Sequence, residues 1–210
     1  MFVVGVDSAF TVDRFSVSTV LVKPKDDVRY LVDLWAVKGI RADAAAAIIA
    51  KRVMSPPLVG KTLVIVEANG GGEVVWQKIA ELLPGVVWKV YARGGVGMKF
   101  DDETRHATVS KEYLINTFRD VVLAGRLWIP DPKIYPEFEI LCEEMRTFRY
   151  QQGGEAVFFG ARSKAHDDTI MSTAYSVFWS LRSGIDAMDN AERPSVYGGR
   201  KIFAGLPRVE

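Results

Sequence analysis

Residues 63–72 read Leu63-Val64-Ile65-Val66-Glu67-Ala68-Asn69-Gly70-Gly71-Gly72: an apolar run, a carboxylate closing it, then a glycine turn. The branched apolar run bounded by turn formers predicts a strand over 62–67. Beyond the glycines, Val74, Val75, Ile79, Leu82 and Leu83 predict a helix, and Val86 to Tyr91 predicts a further strand. A strand–helix–strand segment requires a parallel, right-handed crossover. This unit sets the fold class.

Upstream, residues 2–6 read as a buried strand. Phe15, Val17, Thr19 and Leu21 then alternate with Ser16, Ser18, Val20 and Val22, predicting a second. A third is expected over Tyr30 to Val37, after a turn at Pro24-Lys25-Asp26-Asp27, so the N-terminus reads as an antiparallel meander. The run after Asp43 is helical, with Asp43 the expected N-cap. Downstream, Ala92 to Ala107 is glycine-rich and charged and is expected to be a mobile loop. One helix carries Tyr113, Leu114, Phe118, Val121 and Val122, and another Phe138, Leu141, Cys142 and Met145. A hairpin is expected over Phe148 to Phe159. A closing helix over about 167–181 carries Ile170, Met171, Ala174, Val177, Phe178 and Leu181 at helical spacing. The pattern predicts one α/β domain over 1–185, a mixed central sheet with helices on both faces, and a polar tail over 186–210.

The chain has 210 residues, 49% hydrophobic, with 27 basic and 26 acidic residues. The near-zero net charge leaves a nucleic-acid surface only as a local basic face. A single cysteine, Cys142, excludes an internal disulfide and a cysteine-rich zinc site, and it reads as a small buried apolar residue. Two histidines make a Cys–His pair improbable. No signal peptide or membrane-spanning stretch is visible, so the chain is expected to be soluble, with no membrane partner.

Carboxylates end three apolar patterns: Asp7 after Phe2-Val3-Val4-Gly5-Val6, Glu67 after Leu63 to Val66, and Asp167-Asp168 at the head of the closing helix. Singly, each has a plain reading as a turn former, a strand-end charge or a helix cap. If they converge, they repel one another unless a cation bridges them. Hard divalent ions take carboxylate oxygens, and two such ions support phosphodiester hydrolysis. Helical geometry alone does not decide between Asp167 and Asp168, which lie about 100° apart.

Gly5-Val6-Asp7-Ser8-Ala9, Val66-Glu67-Ala68-Asn69-Gly70-Gly71-Gly72 and His166-Asp167-Asp168-Thr169-Ile170-Met171 resemble the three nuclease motifs of viral terminase large subunits. These are the DNA-packaging enzymes of tailed bacteriophages and herpesviruses. Gly125 to Pro130 and the glutamate-rich helix after it resemble the same family. The resemblance implies an RNase H-like fold of the resolvase and integrase type. It also implies a Mg²⁺- or Mn²⁺-dependent endodeoxyribonuclease that binds two ions through Asp7, Glu67, Asp168 and Asp167. Some relatives carry an aspartate where this chain has Met171. The chain lacks an ATPase motif, because Gly94-Gly95-Val96-Gly97-Met98-Lys99 does not have the spacing of a P-loop. It is therefore expected to be an isolated C-terminal nuclease domain, with a natural stand-alone nuclease as the alternative; the isolated domain is expected to be monomeric. Its implied partners are double-stranded DNA and, in a full-length protein, an ATPase domain, the portal and the small terminase subunit. Its implied setting is the host cytoplasm, at the capsid portal.

Phosphate contacts are expected from Arg93, Lys99, Arg105 and Lys111, and from Arg162 and Lys164 just before the acid pair. His106 belongs to the same loop, and Arg14 and Lys61 are lesser candidates. His166 reads as structural. Arg193, Arg200, Lys201 and Arg208 in the tail could engage DNA or only solubilise it. No residue pattern reads bases, so little sequence specificity is expected. The rival readings are a Holliday-junction resolvase of the same fold, a non-catalytic RNase H-like binding module and, more distantly, an actin-like phosphotransferase.

Overall fold

The computed structural model describes residues 1–8, 14–95, 97–153, 156–161 and 167–186, with backbone alone for 149–153, 156–161 and 183–186. The tail beyond 186 lies outside them. β1 (Phe2–Ser8), β2 (Phe15–Val22) and β3 (Arg29–Val37) form the expected meander. α1 (Ala42–Val53) then leads to the crossover unit of β4 (Thr62–Glu67), α2 (Gly72–Leu82) and β5 (Val87–Arg93). β4 runs parallel to β1, and β5 parallel to β4. Asp43 does not cap α1: Arg41 is the N-cap, and Asp43 lies in the first turn, where its charge favours the helix dipole.

The expected loop over 92–107 is bounded by sheet at both ends and carries a short strand within it. β6 (Lys99–Asp101) and β7 (His106–Ser110) form an antiparallel pair, and β7 runs parallel to β5. β8 (Leu127–Trp128) pairs with β3. Among the described residues the sheet has eight strands in the order β6-β7-β5-β4-β1-β2-β3-β8. α3 (Lys111–Leu123), α4 (Glu139–Thr147, after a 3₁₀ turn at Pro136–Phe138) and α5 (Asp168–Asp186) complete the helices. β9 (Phe148–Gly153) and β10 (Ala156–Ala161) form the separate hairpin.

Strand alternation sorts the core into two layers. Val4, Val6, Val64 and Val66 pack with Ile49 of α1 and with Val75 and Ile79 of α2. Val3 and Ile65 point the other way, toward Leu114 of α3, Leu141 of α4 and Tyr175 and Trp179 of α5. Each such buried large side chain contributes about 1.5–3 kcal/mol. Cys142 is half-buried on α4, where burial raises its thiol pKa, against a nucleophilic role.

α5 is buried on nearly every side, and small residues let it sit directly on the sheet. Ser16 and Ser172 share a hydroxyl–hydroxyl hydrogen bond of 2.8 Å, as do Ser18 and Ser176. The Ser18 hydroxyl also donates to the Ser172 carbonyl at 2.9 Å. At Gly5, a Cβ would stand 2.1 Å from the same carbonyl oxygen. The β-strand propensity of β2 thus yields to packing: its serine face is an attachment surface for α5, not a solvent face.

Candidate metal centre

β1 and β4 lie side by side in the register Val6↔Val66, so Asp7 and Glu67 follow one another off the last paired positions. By alternation both fall on the face that carries α5. Asp7 is 8% exposed, and Glu67 is half-buried. Asn69 orients Glu67: its amide donates to Glu67 Oε1 at 2.8 Å and to the Ala92 carbonyl at 2.6 Å, tying the carboxylate to β5. The turn that follows is pressed against both strand ends. The Ser8 hydroxyl donates to the Glu67 carbonyl at 2.8 Å, and a Cβ on Gly72 would meet that same oxygen at 2.2 Å. Gly72 therefore permits a close approach, and no dinucleotide fingerprint is needed to account for it.

α5 delivers the remaining acids. Asp168 is 3% exposed, and its Oδ2 accepts the Arg14 backbone N–H at 2.9 Å. Asp167 is more open, and Lys111 Nζ donates to its Oδ2 at 3.4 Å. Burial and the position one turn before Ser172 place Asp168 deeper, toward β1 and β2.

Burial raises the Asp7 pKa well above the usual carboxylate range, and the charges of Glu67, Asp168 and Asp167 raise it further, opposed by Lys111. Burial also raises Glu67, opposed first by Lys111 and then by its hydrogen-bonding neighbours Tyr175, Asn69 and Asp7. The buried Tyr175 hydroxyl is pushed well up, first by burial and then by the Glu67 and Asp7 charges. It lies near enough to Glu67 to favour the ionised carboxylate, yet it has no partner of normal hydrogen-bond length and angle among the described residues. Tyr175 therefore faces Glu67 without a formed bond.

A hard divalent cation suits this donor set: buried carboxylate oxygens, mutual repulsion and an orphaned hydroxyl beside them. Among the described residues no three His, Cys, Asp or Glu side chains are grouped closely enough, as they stand, to hold a metal ion. Oxygens of Glu67, Asp167 and Asp168 are turned toward Asn69, Lys111 and the Arg14 amide instead.

The basic candidates divide by position. Arg93 is exposed at the end of β5, in register with Ser110 and so beside Lys111, with its guanidinium over the Tyr91 ring at 5.4 Å. Lys99 is exposed on edge strand β6. Arg105 and His106 lie at the opposite end of the parallel strands. Arg105 Nη1 is buried without a hydrogen-bond partner, 3.7 Å from where a Gly85 Cβ would be, and His106 meets Trp76 edge-on at 5.6 Å. Lys61 precedes β4 at that same distant end. Arg162, Lys164, His166 and the tail residues Arg193, Arg200, Lys201 and Arg208 lie outside the described residues. Sequence reasoning missed Asn69, Tyr175 and the buried Glu144. A signal for Glu144 existed: it sits three residues after Leu141 on the apolar side of α4.

The family of the terminase RNaseH-like domain matches residues 4–178 of this chain. The chain belongs to that family. No curated protein matches it significantly by sequence. Solved structures similar to it include the large terminase nuclease of thermophilic phage G20c with bound magnesium, at TM-score 0.63 and 18% identity, covering 85% of this chain and 80% of that one. The P22 large terminase nuclease domain gives TM-score 0.55 and 20% identity over 87% and 81% of the two chains. The nuclease domain of the bacteriophage SPP1 large terminase with bound manganese gives 0.54 and 13%, with 85% of each covered. These likenesses carry the fold, which is RNase H-like.

Proposed function

We infer that this chain is the metal-dependent DNA endonuclease domain of a phage terminase large subunit, with Asp7, Glu67 and Asp168 holding the metal and Asp167 beside them. One observation carries the reading: Asp7 is buried at the end of β1, and the charges of Glu67, Asp168 and Asp167 stand near enough to add to the rise in its pKa that burial causes, within a terminase family. Neighbours in fold solved with magnesium or manganese support the choice of ion. Magnesium or manganese, two ions in this reading, supplies water activation and stabilisation of the leaving oxygen during phosphodiester hydrolysis.

The chain's own residues prepare that site. Asn69 fixes the Glu67 carboxylate, the Arg14 amide fixes Asp168, and Lys111 offsets part of the acidic charge. Arg93 meets backbone phosphates at the rim, with Lys99 further out along β6. The substrate is double-stranded DNA, gripped through phosphates with little base readout. In a full-length terminase the partners are an ATPase domain, the portal and the small subunit, and the setting is the host cytoplasm at the capsid portal.

Plasmid nicking in Mn²⁺ or Mg²⁺ tests the reading. Cutting is expected with either ion and is expected to vanish with EDTA and in Asp7→Ala. Persistent cutting in either condition overturns the mechanism, and a marked preference for four-way junctions replaces it with the resolvase reading.

A further inference from the structure

The start of α5 is where Asp168 is held, and the first amides of a helix have no partner within the helix. Here they are capped from another element. Glu144, on α4, is 6% exposed, and its Oε2 accepts the backbone N–H of Thr169 at 2.9 Å and of Ile170 at 3.2 Å, together with the Thr169 hydroxyl. A local N-cap side chain takes this role in most helices, but the Asp167 carboxylate is turned to Lys111. The other oxygen of Glu144, Oε1, is buried without a hydrogen-bond partner among the described residues, and Arg14 Nη1 stands 3.9 Å from it. Arg14 is the residue whose backbone N–H holds Asp168 Oδ2. Glu144 and Arg14 therefore bracket Asp168: one fixes the amides that follow it, the other grips its carboxylate.

We propose that Glu144 is a positioning residue of the metal centre, capping α5 from α4 and, through Arg14, setting where the Asp168 carboxylate is presented. The proposal rests on the metallonuclease reading above. An ordinary tie between two helices would stabilise the fold without any particular effect at Asp168, and that difference is measurable. Glutamate is also the type the position calls for. Glutamine keeps one acceptor oxygen for the helix amides but turns an amide N–H₂ toward Arg14. Aspartate keeps the charge and falls one methylene short.

The test uses the full chain with Mn²⁺ as the only added metal. Mn²⁺ affinity is measured by calorimetry, amide exchange at Thr169 and Ile170 is followed in the metal-free protein, and plasmid-nicking kinetics are recorded. Glu144→Ala is expected to weaken Mn²⁺ binding by about 10- to 100-fold, the range for residues that orient metal ligands. Exchange at the two amides is expected to accelerate and KM for DNA to stay unchanged. Glu144→Gln is expected to retain amide protection and to lose part of the affinity, less than Glu144→Ala, because the cap stays while the charge facing Arg14 is gone. Leu141→Ala, on the same helix, serves as the control, because it weakens packing and leaves the cap in place. An Mn²⁺ affinity in Glu144→Ala that matches the parent, or a loss equal to that of Leu141→Ala, overturns the proposal. If Glu144→Ala does not fold, Glu144→Asp carries the same expectation and the same refutation. If the parent chain neither binds Mn²⁺ nor nicks DNA, the metallonuclease reading fails and this role falls with it. If the parent chain binds Mn²⁺ and nicks DNA and Glu144→Ala matches it, the positioning role alone fails.

Discussion

Gly5→Ala is the sharpest perturbation of how α5 is seated. The new methyl would stand 2.1 Å from the Ser172 carbonyl oxygen and 2.8 Å from the Ser176 amide nitrogen, both backbone atoms of α5. No rotamer change relieves a clash with backbone. An ordinary contact of 3.4 Å requires α5 and β1 to separate locally by about 1.3 Å. That movement strains the hydroxyl pairs Ser16–Ser172 and Ser18–Ser176, and overpacking of this kind costs about 1–3 kcal/mol. For a domain of this size the thermal midpoint should fall by roughly 2–4 °C per kcal/mol. Asp168 lies one turn before Ser172 and shifts with it relative to Asp7. Misplacement of a reacting group by about 1 Å costs about 100-fold in rate. Mn²⁺-dependent plasmid nicking, read beside circular dichroism melting, should therefore show a folded protein with activity down by about two orders of magnitude. A Gly5→Ala protein that melts with the parent and cuts within about threefold of its rate would refute the claim that this contact sets the carboxylate geometry.

Asp7→Asn should abolish nicking and, in EDTA, raise the thermal midpoint at neutral pH. Because folding raises the Asp7 pKa, metal-free stability falls as pH rises from the unfolded-state value to the folded one, so the variant's advantage should vanish at about pH 3, below the ordinary aspartate value; an equal advantage at both pH values in scanning fluorimetry contradicts it. Asn69→Ala frees Glu67 from its tie to β5 and should weaken Mn²⁺ binding by about tenfold, measured by calorimetry. Arg93→Ala should reduce the salt slope of DNA binding by about one, whereas Arg105→Ala, at the far end of the sheet, should leave anisotropy titrations unchanged.

Much of the architecture was legible along the chain because its signals are local. Period-two alternation marked β2, branched apolar runs marked β1 and β4, and helical spacing marked α2, α3 and α5. The β6–β7 pair was not legible. β6 is three residues of Lys99-Phe100-Asp101 behind a glycine-rich segment, and it is a strand only because β7 offers it an edge. Asp43 was misjudged as a cap because an N-cap depends on where the helix enters, which Arg41 settles. Among the basic residues, spacing alone did not separate Arg93 from Arg105; strand direction does, since one closes β5 and the other precedes β7.

The sequence by itself determined that Asp7 and Glu67 end strands and that an acid pair opens the last helix, because an apolar run terminated by a carboxylate is a one-dimensional pattern. It also carried the family motifs. Only the tertiary structure decided that these acids share one buried place. Asp7 and Asp168 come from opposite ends of the chain, and they meet because Gly5 and two serines of β2 let the α5 backbone lie directly on the sheet. It likewise decided the depth of Asp168 relative to Asp167, and the capping of that helix by Glu144. Those outcomes depend on close packing and on long-range hydrogen bonds, which belong to the folded chain and to no segment of it.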